Sequence, residues 1–317
     1  MKRYSRREFL EKAAMIGGAG LILPKTSFLF AQPKDTPKEP EPPLDKIIAV
    51  CEGKEPSKLT KGVIEALGGM GKFVKKGQTV LVKPNIAWER KPELAATTNP
   101  EVVATIVQEC FAAGAKKVIV LDRSCADARR CYRLSGIEEA AKKAKAEVII
   151  VENRPAFFKK VQFPKGKIIK EWDIVKEATE CDVFINVPIA KHHSLPKLTL
   201  GIKNLMGLMG GNRADIHKDI GQKLADVLTV IRPHLTIIDA YRVLVAHGPT
   251  GGKDEDVKLV GKVIAGVDPV AVDAYAASLE VFKDIVGDAP ICYVKAAAEM
   301  GLGEMDLTKL KIIEKKI

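Results

Sequence analysis

From residue 45 onward the chain alternates short apolar runs with stretches in which apolar residues recur every three or four positions. The short runs predict strands at 46–51, 79–83, 117–122, 147–151, 182–187, 235–239 and 258–265. Several are apolar at consecutive positions, as in Val118-Ile119-Val120-Leu121 and Val148-Ile149-Ile150-Val151. That pattern belongs to strands covered on both faces. The intervening stretches predict helices. One opens at Asn99-Pro100, where Asn suits the cap and Pro the first turn, and closes before Gly114. Others are expected over 137–145, 219–231 and 268–281, and residues 161–172, centred on Gly166, read as an added hairpin. Strand–helix–strand alternation without a fixed repeat or internal linker predicts one α/β domain over residues 45–317. Its expected architecture is three-layered, a mostly parallel sheet with helices on both faces.

The first 44 residues break this pattern. Ser5-Arg6-Arg7-Glu8-Phe9-Leu10 matches the S-R-R-x-F-L signature of twin-arginine export, and a weakly apolar stretch from Ala13 to Leu23 follows it. Residues 1–31 therefore read as a signal peptide, with Ala31 at a candidate cleavage point. If uncut, the same segment would tether the protein to the membrane. Residues 32–44 hold five prolines among Lys, Asp and Glu, the composition of an extended tether. These features predict export in the folded state by the twin-arginine machinery, to the periplasm or another extracytoplasmic space.

Composition is that of a folded protein, 46% hydrophobic and 29% charged. No apolar run reaches the about 18 residues of a membrane span, so a multi-span membrane protein is excluded. The net charge of +11 invites a nucleic-acid partner. The signal segment, with six basic and two acidic residues, supplies +4 of it. The remaining lysines are scattered among acids, so no nucleic-acid partner is expected.

None of the six cysteines lies in a C-x-x-C pair, so a local iron–sulfur or zinc motif is absent. Cys51, Cys110 and Cys181 fall in apolar patterns as buried thiols. Cys125 and Cys131 lie in a polar loop, where an oxidising compartment would permit a disulfide. Phosphate-loop, dinucleotide, zincin and serine-hydrolase motifs are also missing.

In an open parallel sheet, ligands bind beyond the carboxyl ends of the strands. The polar residues there are Lys83-Pro84-Asn85, Asp122-Arg123-Ser124, Lys191-His192-His193-Ser194 and Asp239. Residues 191–217 add Thr199, Lys203-Asn204, a glycine-rich run to Arg213, and His217. Lys, Arg, Asn and glycine amides would cradle an anion. Alternatively His193 and His217, with Asp239 and Asp273 or Asp268, would hold a divalent metal. Asp268 before Pro269 also reads simply as a helix cap, and His234 as a turn residue.

These motifs together resemble the family known as domain of unknown function 362. Its pattern is matched by Lys83-Pro84-Asn85; by Lys191, His193 and Ser194; and by Thr199, Lys203, Asn204 and Gly207. His217, Asp239, Gly248-Pro249-Thr250-Gly251-Gly252 and Asp268-Pro269-Val270-Ala271-Val272-Asp273 complete it. His192 stands where the family usually has Thr or Ser. The resemblance implies association with iron–sulfur proteins, some members carrying a ferredoxin-like module that this chain lacks.

The expectation is one pocket at the carboxyl edge of the sheet. His193, His217, Lys203 and Asp239 would do its chemistry, as acid–base or charge-neutralising groups, with His193, His217, Asp239 and Asp273 as metal ligands. Lys83, Asn85, Lys191, Thr199, Asn204 and Arg213 would contact a small anionic ligand. The alternative is a non-catalytic binding or accessory protein serving an exported redox enzyme.

Overall fold

A central sheet of ten strands organises the chain, and the alternation of its side chains divides the core in two. In the computed structural model, residues 42–317 are described. The export signature, and the tether as far as residue 41, lie outside them. The first half runs β1 (Ile47–Glu52), α1 (Pro56–Ala66), β2 (Thr79–Pro84), α2 (Pro100–Ala112), β3 (Lys117–Asp122), α3 (Ala128–Leu134), α4 (Ile137–Lys143) and β4 (Glu147–Ile150). Next come β5 (Phe158–Gln162), β6 (Glu171–Val175), α5 (Glu177–Glu180), β7 (Val183–Val187), β8 (Ile189–His193), β9 (Lys197–Thr199) and α6 (Gly201–Asn204). The chain continues through α7 (Ala214–His217), α8 (Ile220–Leu228), β10 (Leu235–Leu244) and β11 (Val257–Gly266). It finishes with α9 (Pro269–Ala277), α10 (Lys283–Val286), α11 (Cys292–Glu299) and β12 (Lys311–Lys316).

The strand order is β12-β1-β11-β10-β7-β2-β3-β4. From β10 to β4 every pairing on this path is parallel, whereas β11 lies antiparallel to both β10 and β1. Val80, Val82, Val118 and Val120 face the layer built on α1, α2 and α4. Leu81, Ile119 and Leu121 face the opposite layer, which holds α8, α9 and α11. The expected three-layer α/β fold is therefore the one observed. Among the described residues, no helix is long and apolar enough to cross a membrane.

Several elements differ from the sequence expectation for local reasons. The apolar run ending at Asp239 continues as strand to Leu244, past a register break between Ala240 and Arg242. That break interrupts the alternation that would have announced the extension. Its partner is β8, which leaves β7 at Pro188 and pairs with the second half of β10, then folds back on β9. The edge strand β12 carries three lysines and a glutamate, the charge that sheet edges tolerate and apolar patterns hide. α9 stops at Ala277 rather than 281, giving way to a 3-10 turn at Glu280–Phe282. The hairpin forms as a separate two-stranded sheet, β5 against β6. It is tied to the glycine-rich run, Gly210 N–H donating to Asp173 O at 2.7 Å and Trp172 Nε1 to Gly210 O at 3.1 Å.

Candidate functional site

β2, β3 and β7 end side by side, and chain order reverses between β2 and β7. Beyond that point, where open α/β sheets bind ligands, lies a cavity of about 320 Å³. Its floor comes from the ends of β2 and β3, and its walls from the β8–β9 hairpin, α6, the glycine-rich run and α7.

The floor rests on a buried ion pair. Lys83 Nζ lies 2.7 Å from Asp122 Oδ1, with both side chains shut off from solvent. Lys83 also donates to Pro84 O at 2.8 Å, and Asp122 Oδ2 accepts from Ile86 N at 2.6 Å. Burial lowers the Lys83 pKa, and Asp122 opposes that shift. The pair leaves no room above it. A Cβ on Gly207 would fall 1.8 Å from Asp122 Oδ1 and 2.6 Å from Lys83 Nζ, so only glycine fits. From α3, the buried Tyr132 hydroxyl accepts from Asp122 N at 2.6 Å and donates to Asp122 O at 2.7 Å, fixing the strand end.

A chain of amides runs behind the cavity. Asn85 Nδ2 donates to Asn204 Oδ1 at 3.0 Å, Asn204 Nδ2 to Asn186 Oδ1 at 2.9 Å, and Asn186 Nδ2 to Gly201 O at 2.9 Å. Lys191 ends the chain, donating to Asn85 Oδ1 at 3.3 Å, to Pro249 O at 3.1 Å and to Ala96 O. Its three donors are thus engaged. Burial lowers its pKa to about 7. The two guanidinium groups are occupied as well. Arg123 donates to Met209 O and Gly211 O, and Arg213 to Arg123 O and Ser124 O. They lace the loop after β3 to the glycine-rich run while leaving their charge at the cavity wall.

A smaller set remains for a ligand. Lys203, 8% exposed, has no hydrogen-bond partner among the described residues, and its pKa falls to about 8, chiefly through burial. Thr199 is 4% exposed and its hydroxyl is unpartnered. The rings of His193 and His217 stand 6.2 Å apart. Burial, with Lys203 and Lys191 nearby, lowers His193 to about 3, and burial with Lys203 also lowers His217. Leu195 N donates to His193 Nδ1 at 3.1 Å, so the neutral ring carries its proton on Nε2. Trp88, Ala87 and Met206 supply apolar wall.

Sequence reasoning placed Lys83, Asn85, Lys191, Thr199, Lys203, Asn204, Arg213, His193 and His217 here, and all line the cavity. Asp239 and Asp273 do not. Asp239 accepts from Asn99 N at 2.8 Å and Tyr241 N at 3.0 Å. Asp273 accepts from Gly201 N at 2.7 Å and Ile202 N at 2.8 Å, capping α6. Both carboxylates are spent on backbone amides, and the four-residue metal set does not assemble. Among the described residues, no group of three or more His, Cys, Asp or Glu side chains is arranged to hold a metal. With Nδ1 accepting an amide proton, Nε2 of His193 also lacks the free lone pair that ligation requires. The iron–sulfur association implied by the family pattern finds no cysteine set either. Cys51, Cys110 and Cys131 are buried free thiols, and burial raises each thiol's pKa. Cys125 and Cys131 are separate free thiols.

Asp268 caps α9, accepting from Val270 N and Ala271 N, and His234 accepts from Phe184 N in a turn. His192 accepts from Gly248 N outside the cavity wall. The sequence reading did not assign Asp122, Trp88 or Tyr132 to the site. Asp122 stood at a strand's carboxyl end, a usable signal, but its lysine partner is 39 positions away.

Comparison with known proteins adds three findings. The profile of a family described as "Domain of unknown function (DUF362)" matches residues 80–278. A thylakoid-associated protein of Synechocystis is 30% identical over 255 residues, covering 76% of this chain and 73% of the relative. The structure of the lactate racemase apoprotein from Thermoanaerobacterium thermosaccharolyticum aligns with a TM-score of 0.42 and 12% identity. That alignment covers 72% of this chain but spans only 56% of the racemase.

Proposed function

The chain belongs to the DUF362 family, and on that premise we propose that it binds and acts on a small organic anion in the cavity beyond β2, β3 and β7. One observation carries this reading. Asp122 is the single carboxylate among the lining residues, and Lys83 already neutralises it. Arg123 and Arg213, with Lys203 and in part Lys191, are left as positive charge with no acid opposite them around a sheltered space. Such a field selects an anion, and Trp88 and Met206 would cover an apolar portion. Lys203, Thr199, His193 Nε2–H and His217 are the groups that would touch it.

The twin-arginine pattern at Ser5–Leu10 supports export and action outside the cytoplasm. Similarity to a thylakoid-associated relative is compatible with a place near a membrane.

Calorimetric titration of the purified chain with phosphate, acetate and succinate tests the reading. Binding should be saturable and weaken at least about tenfold in Lys203→Met, the loss of one charge-assisted contact. Absence of saturable binding by all three anions would refute it.

A further inference from the structure

Of the three lysines lining the cavity, two are committed: Lys83 to Asp122, and Lys191 to three oxygen acceptors. Lys203 alone among them has no partner in the described residues, yet its backbone is held on both sides. Asp273 pins the start of α6, and Asn204 is locked into the amide chain. An amine so placed, in a sheltered space beside a neutral imidazole and an unpartnered hydroxyl, has no structural task of its own.

We propose that Lys203 is a nucleophile that condenses with a small oxo acid, an aldehyde or ketone bearing a carboxylate, to form an imine. The inference rests on the anion-binding reading of the same cavity, because the surplus charge holds the carboxylate that brings the carbonyl to the amine.

The step balances without a further reactant. The Lys203 lone pair forms the N–C bond as the carbonyl π pair moves onto oxygen. Both hydrogens of the amine then leave with that oxygen as water, and a C=N bond remains. His193, His217 and Thr199 line the same space, the two rings 6.2 Å apart; His193 Nε2–H would steady the developing oxygen and His217 would relay a proton. Burial, helped by Arg213 and Lys83, brings Lys203 from 10.5 to about 8. At pH 7.5 that gives roughly two orders of magnitude more free amine than an ordinary lysine holds.

Reductive trapping tests this. The full chain is incubated with glyoxylate and cyanoborohydride, and its peptides are mapped by mass. The expected result is one carboxymethyl group on Lys203, formed at least about tenfold faster than on any exposed lysine. Excess inorganic phosphate should suppress it, and acetaldehyde, which lacks the anion, should show no such preference. Lys203→Arg, shown to be folded by its melting curve, should lose the label, and Lys203→Met should repeat the result. Labelling spread evenly over surface lysines, or an undiminished label in Lys203→Arg, would overturn the proposal. Should glyoxylate raise the melting temperature while Lys203 stays unlabelled, the nucleophile is refuted and the anion site stands. Failure of both observations refutes the two together.

Discussion

Nδ1 of His193 accepts the amide proton of Leu195 at 3.1 Å. A protonated imidazole would turn a second donor toward that amide, so the hydrogen bond and the neighbouring lysines both oppose protonation. Nitrogen NMR should find an Nε2–H tautomer that does not titrate between pH 5 and 8. A His193 ring titrating near its ordinary 6.5 would contradict the geometry.

The same ring makes the fold acid-sensitive. Its pKa is about 3 when folded and 6.5 when unfolded. Between these values the unfolded chain binds the extra proton, so stability rises with pH through that window and is lost as pH falls. Urea melts from pH 7 to pH 4 should show this loss. In His193→Asn, whose side-chain oxygen can still accept from Leu195, the acid slope should flatten.

Anion affinity should run the other way in alkali. Lys191 and Lys203, at about 7 and about 8, shed their charge as pH rises from 7 to 9. Binding of an anion favours their protonated forms, so phosphate affinity should fall by about tenfold or more over that range, with proton uptake on binding. Titration in buffers of different ionisation enthalpy measures both. The trapping rate on Lys203 should rise over the lower part of the same range, so the two pH profiles cross.

The Lys83–Asp122 pair predicts two costly substitutions. Asp122→Asn leaves a buried ammonium without its counter-charge and should cost about 3–5 kcal/mol in urea unfolding. Gly207→Ala should cost about 1–3 kcal/mol, because its methyl group occupies the space of the pair. Equal stability of Gly207→Ala and the parent would mean the pair sits elsewhere.

Asp273 separates stability from binding. Its two amide contacts cap α6, so Asp273→Asn should lower stability by about 1–2 kcal/mol. Phosphate affinity should weaken only as far as Lys203 is loosened. Dialysis against a chelator should change neither parent nor variant.

The parallel strands were legible because burial on both faces writes consecutive apolar residues, as in Val118–Leu121. Asn99-Pro100 was legible because cap and first turn are local chemistry, and Asn99 Oδ1 does accept from Glu101 N. The polar residues of the site could be gathered because strand ends and glycine-rich turns mark one edge of a sheet. Their division of labour could not. Asp239 and Asp273 look like ligands until the amides of Asn99, Tyr241, Gly201 and Ile202 are found occupying them. Asn85 and Asn204 look like contact residues until they are found bonded to each other across 119 positions. A sequence shows which groups can form hydrogen bonds, and only the fold shows which have already done so.

The β5–β6 hairpin holds Gly210 through Asp173 and Trp172 and belongs to no pairing of the main sheet. The cavity is thus assembled from two parts held by different means. Its floor, the buried Lys83–Asp122 pair at the ends of β2 and β3, is locked into the strands and tolerates little change. Its glycine-rich wall is tied to the hairpin on one side and to the loop after β3 on the other. The hairpin is itself anchored, with Phe163 and Ile174 in the core and the Asp226 carboxylate accepting from the amides of Lys167, Ile168 and Ile169. A change in the hairpin would therefore reach the cavity through Gly210 while leaving every pairing of the main sheet in place.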